Sequence, residues 1–238
     1  MSQLFKEGMY FSYTYDLTNS IKHFLNKKLD NLYIGANKLY MWNKTICKEL
    51  EDAGVKAKWL VPVIQGFVGV IEEELKGSNM RLILISRRRN KKAGTRYNSR
   101  GIDDEGSVAN MVETEQILIY NKILSSFIQI RGSVPVFWTQ SGLSAELELT
   151  RTIEIAFPAF CKHFQELVTL YKYILIFNLL SKEKEEEVKL IKAFEANVTA
   201  YGKKGQDNVR YCSFDFHSEL KETPSSVRLF KRGRMMVQ

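Results

Sequence analysis

The sequence is poor in cysteine and contains no long apolar run. Its three cysteines, Cys47, Cys161 and Cys212, lie far apart along 238 residues and have neither the paired spacing of a metal site nor that of a disulfide framework. The longest apolar stretch, residues 171–180, is about half of the roughly 20 residues that a membrane-spanning helix needs. The first residues lack the basic and then apolar pattern of a secretion signal. These absences predict a protein of the reducing cytoplasm.

Common cofactor motifs are also missing. Neither the G-x-x-x-x-G-K-[ST] phosphate loop nor the G-x-G-x-x-G dinucleotide motif occurs, and the three histidines are far apart and form no H-x-x-x-H pair. Asp103 and Asp104 are adjacent, so their side chains point apart, and a turn explains them better than a metal site. The sequence therefore predicts no cofactor and no metal.

Charge is unevenly distributed along the chain. With 35 Lys and Arg against 27 Asp and Glu, the net charge of +8 indicates an anionic partner, for which nucleic acid, anionic lipid and phosphorylated small molecules are the candidates. Seven cations lie between Arg87 and Arg100 without an acid among them, and acids follow from Asp103 to Glu115. Such a run is either a solvated surface or an anion site. Because only Tyr97 interleaves the cations as an aromatic residue, no nucleic-acid partner is predicted.

Three glycines interrupt this charged segment. Gly94, Gly101 and Gly106 allow positive φ angles and a close approach of the backbone to a ligand. Backbone amides together with arginine side chains suit a phosphate group. The segment is therefore a candidate phosphate-binding loop.

Apolar periodicity predicts an α/β protein. A short helix follows Asp16 or Thr18 as its cap, and a second helix ends at Gly54 with Ile46 and Leu50 on its apolar stripe. Runs of β-branched residues predict strands within residues 58–75 and 80–86, and then two strands joined by a turn near Asn121. The order strand, helix, strand, helix, strand over residues 125–217 predicts a mixed sheet with crossover helices.

Several blocks, in fixed order, resemble one known family. They are residues 10–21 (YFSYTYDLTNSI), 93–97 (AGTRY), 100–101 (RG), 108–110 (VAN), 112–116 (VETEQ), 125–140 (SSFIQIRGSVPVFWTQ) and 214–217 (FDFH). Together they resemble the Sac-domain phosphoinositide phosphatases, and block 125–140 is similar to synaptojanin-type Sac domains. The resemblance implies an incomplete Sac phosphatase domain: residues 1–44 would end the N-terminal subdomain, residues 45–217 would begin the catalytic subdomain, and residues 218–238 would be a divergent tail.

The resemblance also implies a chemistry. Sac domains remove phosphate from inositol headgroups of membrane phosphoinositides without a metal, through a cysteine nucleophile in a Cys-x5-Arg motif. In this chain the sixth residues after the three cysteines are Ala53, Leu167 and Ser218, so none is the family nucleophile. We therefore expect a truncated phosphatase that is inactive alone. The alternative is a non-catalytic phosphoinositide-binding or scaffolding module.

Candidate site residues follow from charge and resemblance. Substrate binding is predicted for Arg87, Arg88, Arg89, Lys91, Lys92, Arg96, Arg100 and Arg131, and a supporting role for Asn110, Glu113, Glu115, Asp215 and His217. The five bases from Arg87 to Lys92 are expected to touch an anionic membrane, where each contributes about 1 kcal/mol. The partners predicted are phosphoinositide headgroups, at which the protein is peripheral, and a protein that covers the edge of the incomplete sheet.

Three of these assignments leave two interpretations open. Arg131 either adds positive potential to the headgroup site or forms an ion pair with Glu113 or Glu115 in the core. Those two glutamates share one strand face and are expected to hold the basic residues. Asp215 and His217 also share a face, where they assist proton transfer or make structural hydrogen bonds.

Overall fold

The computed structural model describes residues 8–26, 31–95, 99–140, 146–203, 205 and 207–214. It has the predicted α/β fold and divides into two units. Unit 1 comprises Met1–Ser99 with Ala109–Ser133, and unit 2 comprises Arg100–Val108 with Val134–Gln238. No helix in the described part of the chain is both long and apolar enough to cross a membrane.

Unit 1 is built on a five-stranded antiparallel sheet of order β1-β2-β3-β4-β5. Its strands are β1 (Met9–Phe11), β2 (Val63–Leu75), β3 (Ser78–Arg88), β4 (Val112–Tyr120) and β5 (Ile123–Arg131). Two-residue turns join β2 to β3 and β4 to β5, and all four of their residues, Lys76, Gly77, Asn121 and Lys122, have positive φ. Positive φ at both positions is the geometry of tight hairpins. The predicted strands and the turn near Asn121 are therefore confirmed.

One face of this sheet forms the core of unit 1. Ile64, Ile85 and Ile117, from three neighbouring strands, pack against Leu17 and Ile21. Ile21 begins the short helix α1 (Ile21–Asn26). The predicted cap of α1 is wrong, because the Ile21 amide donates to the carboxylate of Glu115 on β4, whereas Asp16 accepts from Thr18.

A second apolar cluster lies under α3 (Lys44–Asp52), which follows the one-turn helix α2 (Leu32–Gly35). Cys47 is 3% exposed and packs with Tyr33, Met41 and Leu60, so it is the buried apolar residue of this helix. The predicted stripe is wrong, since Ile46 and Leu50 are 58% and 42% exposed. The helix begins at Lys44, and Cys47 in its first turn faces the cluster.

Unit 2 contains the crossover helix that the sequence predicts. Its elements are β6 (Trp138–Thr139), β7 (Glu148–Leu149), α4 (Ile153–Tyr171), β8 (Ile174–Asn178), α5 (Glu185–Gly202) and β9 (Val209–Ser213). Helix α5 connects the parallel strands β8 and β9. Aromatic rings join α4 to α5, with Phe160 at 5.9 Å from Phe194 and 6.1 Å from Tyr201 between ring centroids. In the described residues the antiparallel strands and the parallel pair form separate sheets.

The predicted division at residue 44 falls inside unit 1 and stays a prediction. Strand β1 pairs with β2 from Met9 opposite Gln65 to Phe11 opposite Val63, so residues on both sides of position 44 belong to unit 1. The predicted tail, residues 218–238, lies outside the described residues.

Candidate functional site

The first base of the charged segment lies in the core of unit 1. Arg87 is 0% exposed, and its guanidinium lies between two carboxylates, with Nε 3.2 Å from Glu113 Oε1 and Nη2 2.5 Å from Glu115 Oε2. Glu113 is directly opposite Arg87 on β4, and Glu115 is two residues further along the same face. The prediction that Arg87 touches a membrane is therefore wrong, because its charge is enclosed with its counter-ions.

Glu115 connects this buried group to other elements of unit 1. Its Oε1 accepts from the amide of Ile21, at 3.0 Å, and from the hydroxyl of Ser126 on β5, at 2.8 Å. Burial, followed by the negative charge of Glu115, raises the pKa of the nearby Tyr15 to about 12. Burial of the tyrosine and of its neighbours stabilises the neutral phenol. The two glutamates thus hold one arginine and the start of α1 in place.

Arg131 does not join this group. It lies opposite Val112 in the β4–β5 register, whereas Glu113 lies opposite Ile130, so Arg131 is on the other face of the sheet and is exposed. The predicted core ion pair of Arg131 with Glu113 or Glu115 is therefore wrong. Arg87 takes that position because side chains alternate between the faces of a strand.

Arg88 faces the opposite side from Arg87 and supports the loop that follows β3. Its guanidinium donates to Gln65 Oε1 at 3.2 Å, to the carbonyl of Gly94 and to Asn110 Oδ1. It also lies over the ring of Trp42, with Cζ 5.9 Å from the centroid. One arginine is thus tied to β2 and to both ends of the loop, an arrangement that fixes the loop rather than leaving Arg88 free for a ligand.

Asn110 closes the same loop from its far end. Its φ of +54° is in the left-handed region, which asparagine tolerates better than most residues. Its Oδ1 also accepts from the Gly94 amide at 3.2 Å, and its Nδ2 donates to the Ser99 carbonyl at 3.3 Å. Its own amide donates to the carbonyl of Lys92 at 3.3 Å. Asn110 and Arg88 together form the frame of the loop.

The remaining bases of unit 1 divide by exposure. Arg89 is 1% exposed, so the predicted membrane contact of this residue is also wrong. Asn90 explains why the chain turns inward here, since its Nδ2 donates to the carbonyls of Lys38 and Met41. Lys91 is exposed and Lys92 is half-buried with a φ of +48°. Among the described residues of unit 1, Lys91, Lys92 and Arg131 are the predicted substrate-binding bases that are neither buried nor tied to the loop as Arg88 is.

The loop glycines approach the protein itself. Gly101 has a φ of +64°, and a Cβ there would lie 2.5 Å from the carbonyl oxygen of Val136. Gly106 has a φ of +82°, and a Cβ there would lie 2.9 Å from the amide nitrogen of His163. Their positive φ values agree with the prediction, whereas Gly94 does not have a positive φ, and the close approach that Gly101 and Gly106 permit is to unit 2 backbone.

Arg100 and the acids Asp103, Asp104 and Glu105 lie in unit 2. Arg100 stacks on Trp138, with Cζ 5.0 Å from the ring centroid, and donates to Gln140. Asp103 forms the predicted turn, because its Oδ1 accepts from the amides of Glu105 and Ser107. The predicted site residues Arg96, Asp215 and His217 lie outside the described residues.

Neither a nucleophile nor a metal site emerges from the described part of the chain. Burial raises the pKa of the Cys47 thiol, which opposes formation of a thiolate. Within residues 8–214, apart from the undescribed gaps, no three or more His, Cys, Asp or Glu residues are grouped as metal ligands. The arrangement is suited to binding an anion at exposed lysines.

Comparison with known proteins agrees with the blocks found in the sequence. A family profile described as SacI homology domain matches residues 1–221. Phosphatidylinositide phosphatase SAC2 of Danio rerio is 34% identical over an alignment of 246 residues, which covers 90% of this chain and 22% of that protein. Synaptojanin-1 of Rattus norvegicus is 39% identical over 186 residues, or 76% of this chain and 12% of that protein.

A fungal protein is similar to the same extent. Polyphosphatidylinositol phosphatase INP53 of Saccharomyces cerevisiae is 34% identical over 242 residues, which covers 93% of this chain and 21% of that protein. The chain thus spans about a fifth or less of the length of these curated relatives. Since the profile covers nearly the whole chain, this protein belongs to the SacI homology domain family.

Proposed function

We propose that the chain is a segment of a Sac-type phosphoinositide phosphatase that acts as a peripheral protein at the cytoplasmic side of a membrane. The observation that carries the proposal is the family match over residues 1–221. Two of the relatives are named as phosphatases of phosphatidylinositides or polyphosphatidylinositols. In this proposal residues 1–44 end the N-terminal subdomain, and residues 45–217 begin the catalytic subdomain.

The segment binds its lipid but does not hydrolyse it alone. Sac-type hydrolysis proceeds through a phosphate ester of a cysteine in Cys-x5-Arg, and none of the three cysteines here has an arginine six positions later. The buried Cys47 thiol is also a poor nucleophile. The family nucleophile would therefore be supplied outside these 238 residues.

The bases that we assign to the headgroup are Lys91, Lys92 and Arg131 of unit 1. The Lys92 carbonyl accepts from Asn110, and Ala109 accepts from Ser133, so the loop runs beside the end of β5 that carries Arg131. Arg88 and Asn110 support this loop, and Arg96 and Arg100 are further candidates from the same segment. Each base near an anionic surface contributes about 1 kcal/mol.

A non-catalytic phosphoinositide-binding or scaffolding module is the second candidate. It is favoured by one feature, which is that the Arg88–Asn110 frame and the exposed lysines are present although Cys-x5-Arg is not. In this alternative the protein locates partners at a membrane and never turns over a lipid.

A protein partner on the edge of the unit 1 sheet is also proposed. Strand β5 is the outer strand of the sheet and carries no charge from Ile123 to Ile130, so it lacks the charged residues that usually protect edges. We assign a second copy of this chain to the edge. Antiparallel pairing about Phe127 sets Leu124 opposite Ile130 and keeps the two Arg131 residues apart.

Vesicle flotation and phosphate release test the main proposal on the same preparation. Vesicles of phosphatidylcholine with and without phosphatidylinositol 4-phosphate are mixed with the 238-residue chain at low salt. We expect flotation only with the phosphorylated lipid, and no phosphate release. The double variant Lys91→Gln, Lys92→Gln should weaken binding by about thirtyfold, from about 1 kcal/mol per base. Lys203→Gln, an exposed lysine of unit 2, is the control.

A chimaera separates the two candidates. The chain is continued with the downstream segment of rat synaptojanin-1 that carries Cys-x5-Arg. Phosphate release by the chimaera supports the phosphatase, and its loss on replacing that cysteine by serine confirms the chemistry. A folded chimaera that binds vesicles and releases no phosphate supports the scaffold. Release by the 238-residue chain itself would overturn the claim that it is inactive alone.

A further inference from the structure

Unit 2 contains a cavity that the proposed function does not use. It has a volume of about 480 Å³ and lies between β7, the first turn of α4 and the middle of α5. Three cations line it, Arg151, Lys189 and Lys192, together with the apolar wall residues Phe137 and Leu149. The cavity is large enough for a sugar-sized ligand.

The cations of the cavity are held to different degrees. Arg151 lies flat over the Phe137 ring, with Cζ 3.9 Å from the centroid, and pairs with Asp104. Lys189 pairs with Glu186 at 3.3 Å and Glu146 at 3.6 Å. Lys192 is exposed and has no ion-pair partner among the described residues. Arg151 and Lys189 therefore form a fixed rim, and Lys192 keeps its charge available for an anion.

The first turn of α4 adds to the positive potential. Thr152, Ile153 and Glu154 line the cavity at the N-terminal end of a 19-residue helix, where the helix dipole is positive. The carboxylate of Glu154 bonds to its own amide and to Thr152, and these hydrogen bonds lower its pKa. The carboxylate of Glu154 offsets part of the helix potential in the same turn, so Lys192 is the main attraction for an incoming anion.

The cavity also contains a buried hydrogen-bond acceptor that lacks a donor in the described part of the chain. Asn197 on α5 also lines the cavity and is 1% exposed. Its Nδ2 donates to the Ala193 carbonyl at 2.9 Å, and its Oδ1 has no hydrogen-bond partner among the described residues. A buried acceptor left without a donor costs about 1–3 kcal/mol. A ligand hydroxyl can donate to this acceptor.

We propose that this cavity binds a phosphorylated polyol, with its phosphate at Lys192 and the α4 N-terminus and a hydroxyl at Asn197 Oδ1. The proposal concerns binding at this cavity and includes no chemical step. The site belongs to unit 2, whereas Lys91, Lys92 and Arg131 belong to unit 1. The same chemistry is found in a free inositol phosphate and in a lipid headgroup, and the experiment distinguishes the two.

The test titrates the 238-residue chain with soluble inositol 1-phosphate, inorganic phosphate and myo-inositol, by calorimetry and by amide chemical shifts. Inositol 1-phosphate should bind more tightly than either fragment, with shifts at the first turn of α4 and at Lys192. Lys192→Gln should weaken this binding by about threefold, as for an exposed charge pair. Lys203→Gln removes the same charge near the end of α5, outside the cavity, and should change nothing.

A second variant tests the hydroxyl contact. Asn197→Leu keeps the volume but removes the acceptor, so the preference for inositol 1-phosphate over phosphate should disappear. If this variant unfolds, Asn197→Ala is used in its place because alanine also lacks an acceptor, and the same loss of preference is expected. Equal selectivity in a folded Asn197 variant overturns the proposal.

A vesicle arm identifies the source of the ligand. If Lys192→Gln weakens soluble binding alone, the ligand is a free phosphorylated polyol, and if it weakens flotation with phosphatidylinositol 4-phosphate, the ligand is a headgroup. Either result supports the site. Binding that Lys91→Gln, Lys92→Gln removes and Lys192→Gln leaves intact would overturn this inference while leaving the proposed function in place.

Discussion

At the scale of residues, Arg87 is the buried charge of unit 1 that most needs counter-ions. Glu113 and Glu115 on the neighbouring strand neutralise it and are themselves almost fully buried. A buried ion pair contributes little net stability, but the loss of one partner leaves an uncompensated charge in the core. Removal of the Arg87 charge should therefore destabilise the folded protein, because the carboxylates of Glu113 and Glu115 would stay buried without a counter-ion.

Arg87→Met tests this dependence. It replaces the guanidinium by an apolar chain of similar length and leaves two carboxylates without their counter-ion. We expect the free energy of unfolding to fall by about 3–5 kcal/mol, measured by urea denaturation at neutral pH. Arg131→Gln is the matched control, because Arg131 is exposed on the opposite face, and its effect should stay within about 0.5 kcal/mol. If Arg87→Met and Arg131→Gln lower the free energy of unfolding equally, Arg87 is not the buried partner of the two carboxylates.

Tyr15 gives the same group a dependence on pH. Its folded pKa is raised from 10.0 to about 12, chiefly by burial and then by Glu115. The contribution of the neutral phenol is fully present below the unfolded pKa and is lost as pH rises through the folded pKa, so stability should fall between about pH 10 and pH 12. The urea midpoint should fall less steeply from pH 9 to pH 11 in Tyr15→Phe than in the wild type.

An exposed tyrosine controls for alkaline effects common to the whole protein. Tyr13 is 76% exposed, and Tyr13→Phe should keep the wild-type slope. If Tyr15→Phe also keeps that slope, the phenol does not differ between the folded and unfolded states, and the coupling to Glu115 is absent.

The sequence showed that Arg87 and Arg88 point to opposite faces of β3, but not which of the two faces inward. Arg87 shares a face with Ile83 and Ile85, and Arg88 shares a face with the equally apolar Leu82 and Leu84. Treating the seven cations as one patch ignored this alternation. The partner carboxylates could be assigned to one face from their spacing, but their pairing with Arg87 depended on the β3–β4 register, which the sequence does not show.

At the scale of elements, the hairpins were predictable and the helix contacts were not. Long β-branched runs around short turns identify β2 to β5 because pairing between neighbouring strands is local. The bond that begins α1 comes from Glu115, which is 94 residues from Ile21 in the chain. A cap chosen from nearby residues could not anticipate it.

The open edge of β5 is where a single substitution should prevent dimerisation. Phe127 is 58% exposed at the centre of this strand, which carries no charge before Arg131. Phe127→Lys places a charge opposite its own copy in the antiparallel pair, and like charges directly opposite are destabilising. We expect the wild type to dimerise and the variant to be monomeric, by light scattering after gel filtration.

The control removes an aromatic ring from the same face without touching β5. Phe67 on β2 is 48% exposed and lies in the same row of paired residues as Ser86 and Thr114. Phe67→Lys should leave the dimer intact. A monomeric wild type, or equal dissociation in both variants, would show that β5 does not pair with a second copy.

At the scale of the whole molecule, two surfaces compete to explain membrane binding. The net charge of +8 favours anionic lipid through long-range attraction. The hairpin ends of unit 1 instead expose apolar side chains, with Val70, Ile71 and Ile123 all more than half exposed. Apolar insertion and charge attraction differ in their response to salt, since only the second is screened.

The salt dependence of vesicle binding therefore shows whether the bases or the apolar hairpin ends bind the membrane. If the bases act, the fraction of protein on phosphatidylinositol 4-phosphate vesicles should fall by about tenfold or more as ionic strength rises from about 0.05 M to 0.3 M. The double variant Lys91→Gln, Lys92→Gln should lose most of that dependence, whereas Ile71→Ser, Ile123→Ser should keep the wild-type slope. Binding that persists at high salt and disappears in the serine variant would instead assign the membrane to the hairpin ends, since charge attraction alone cannot survive such screening.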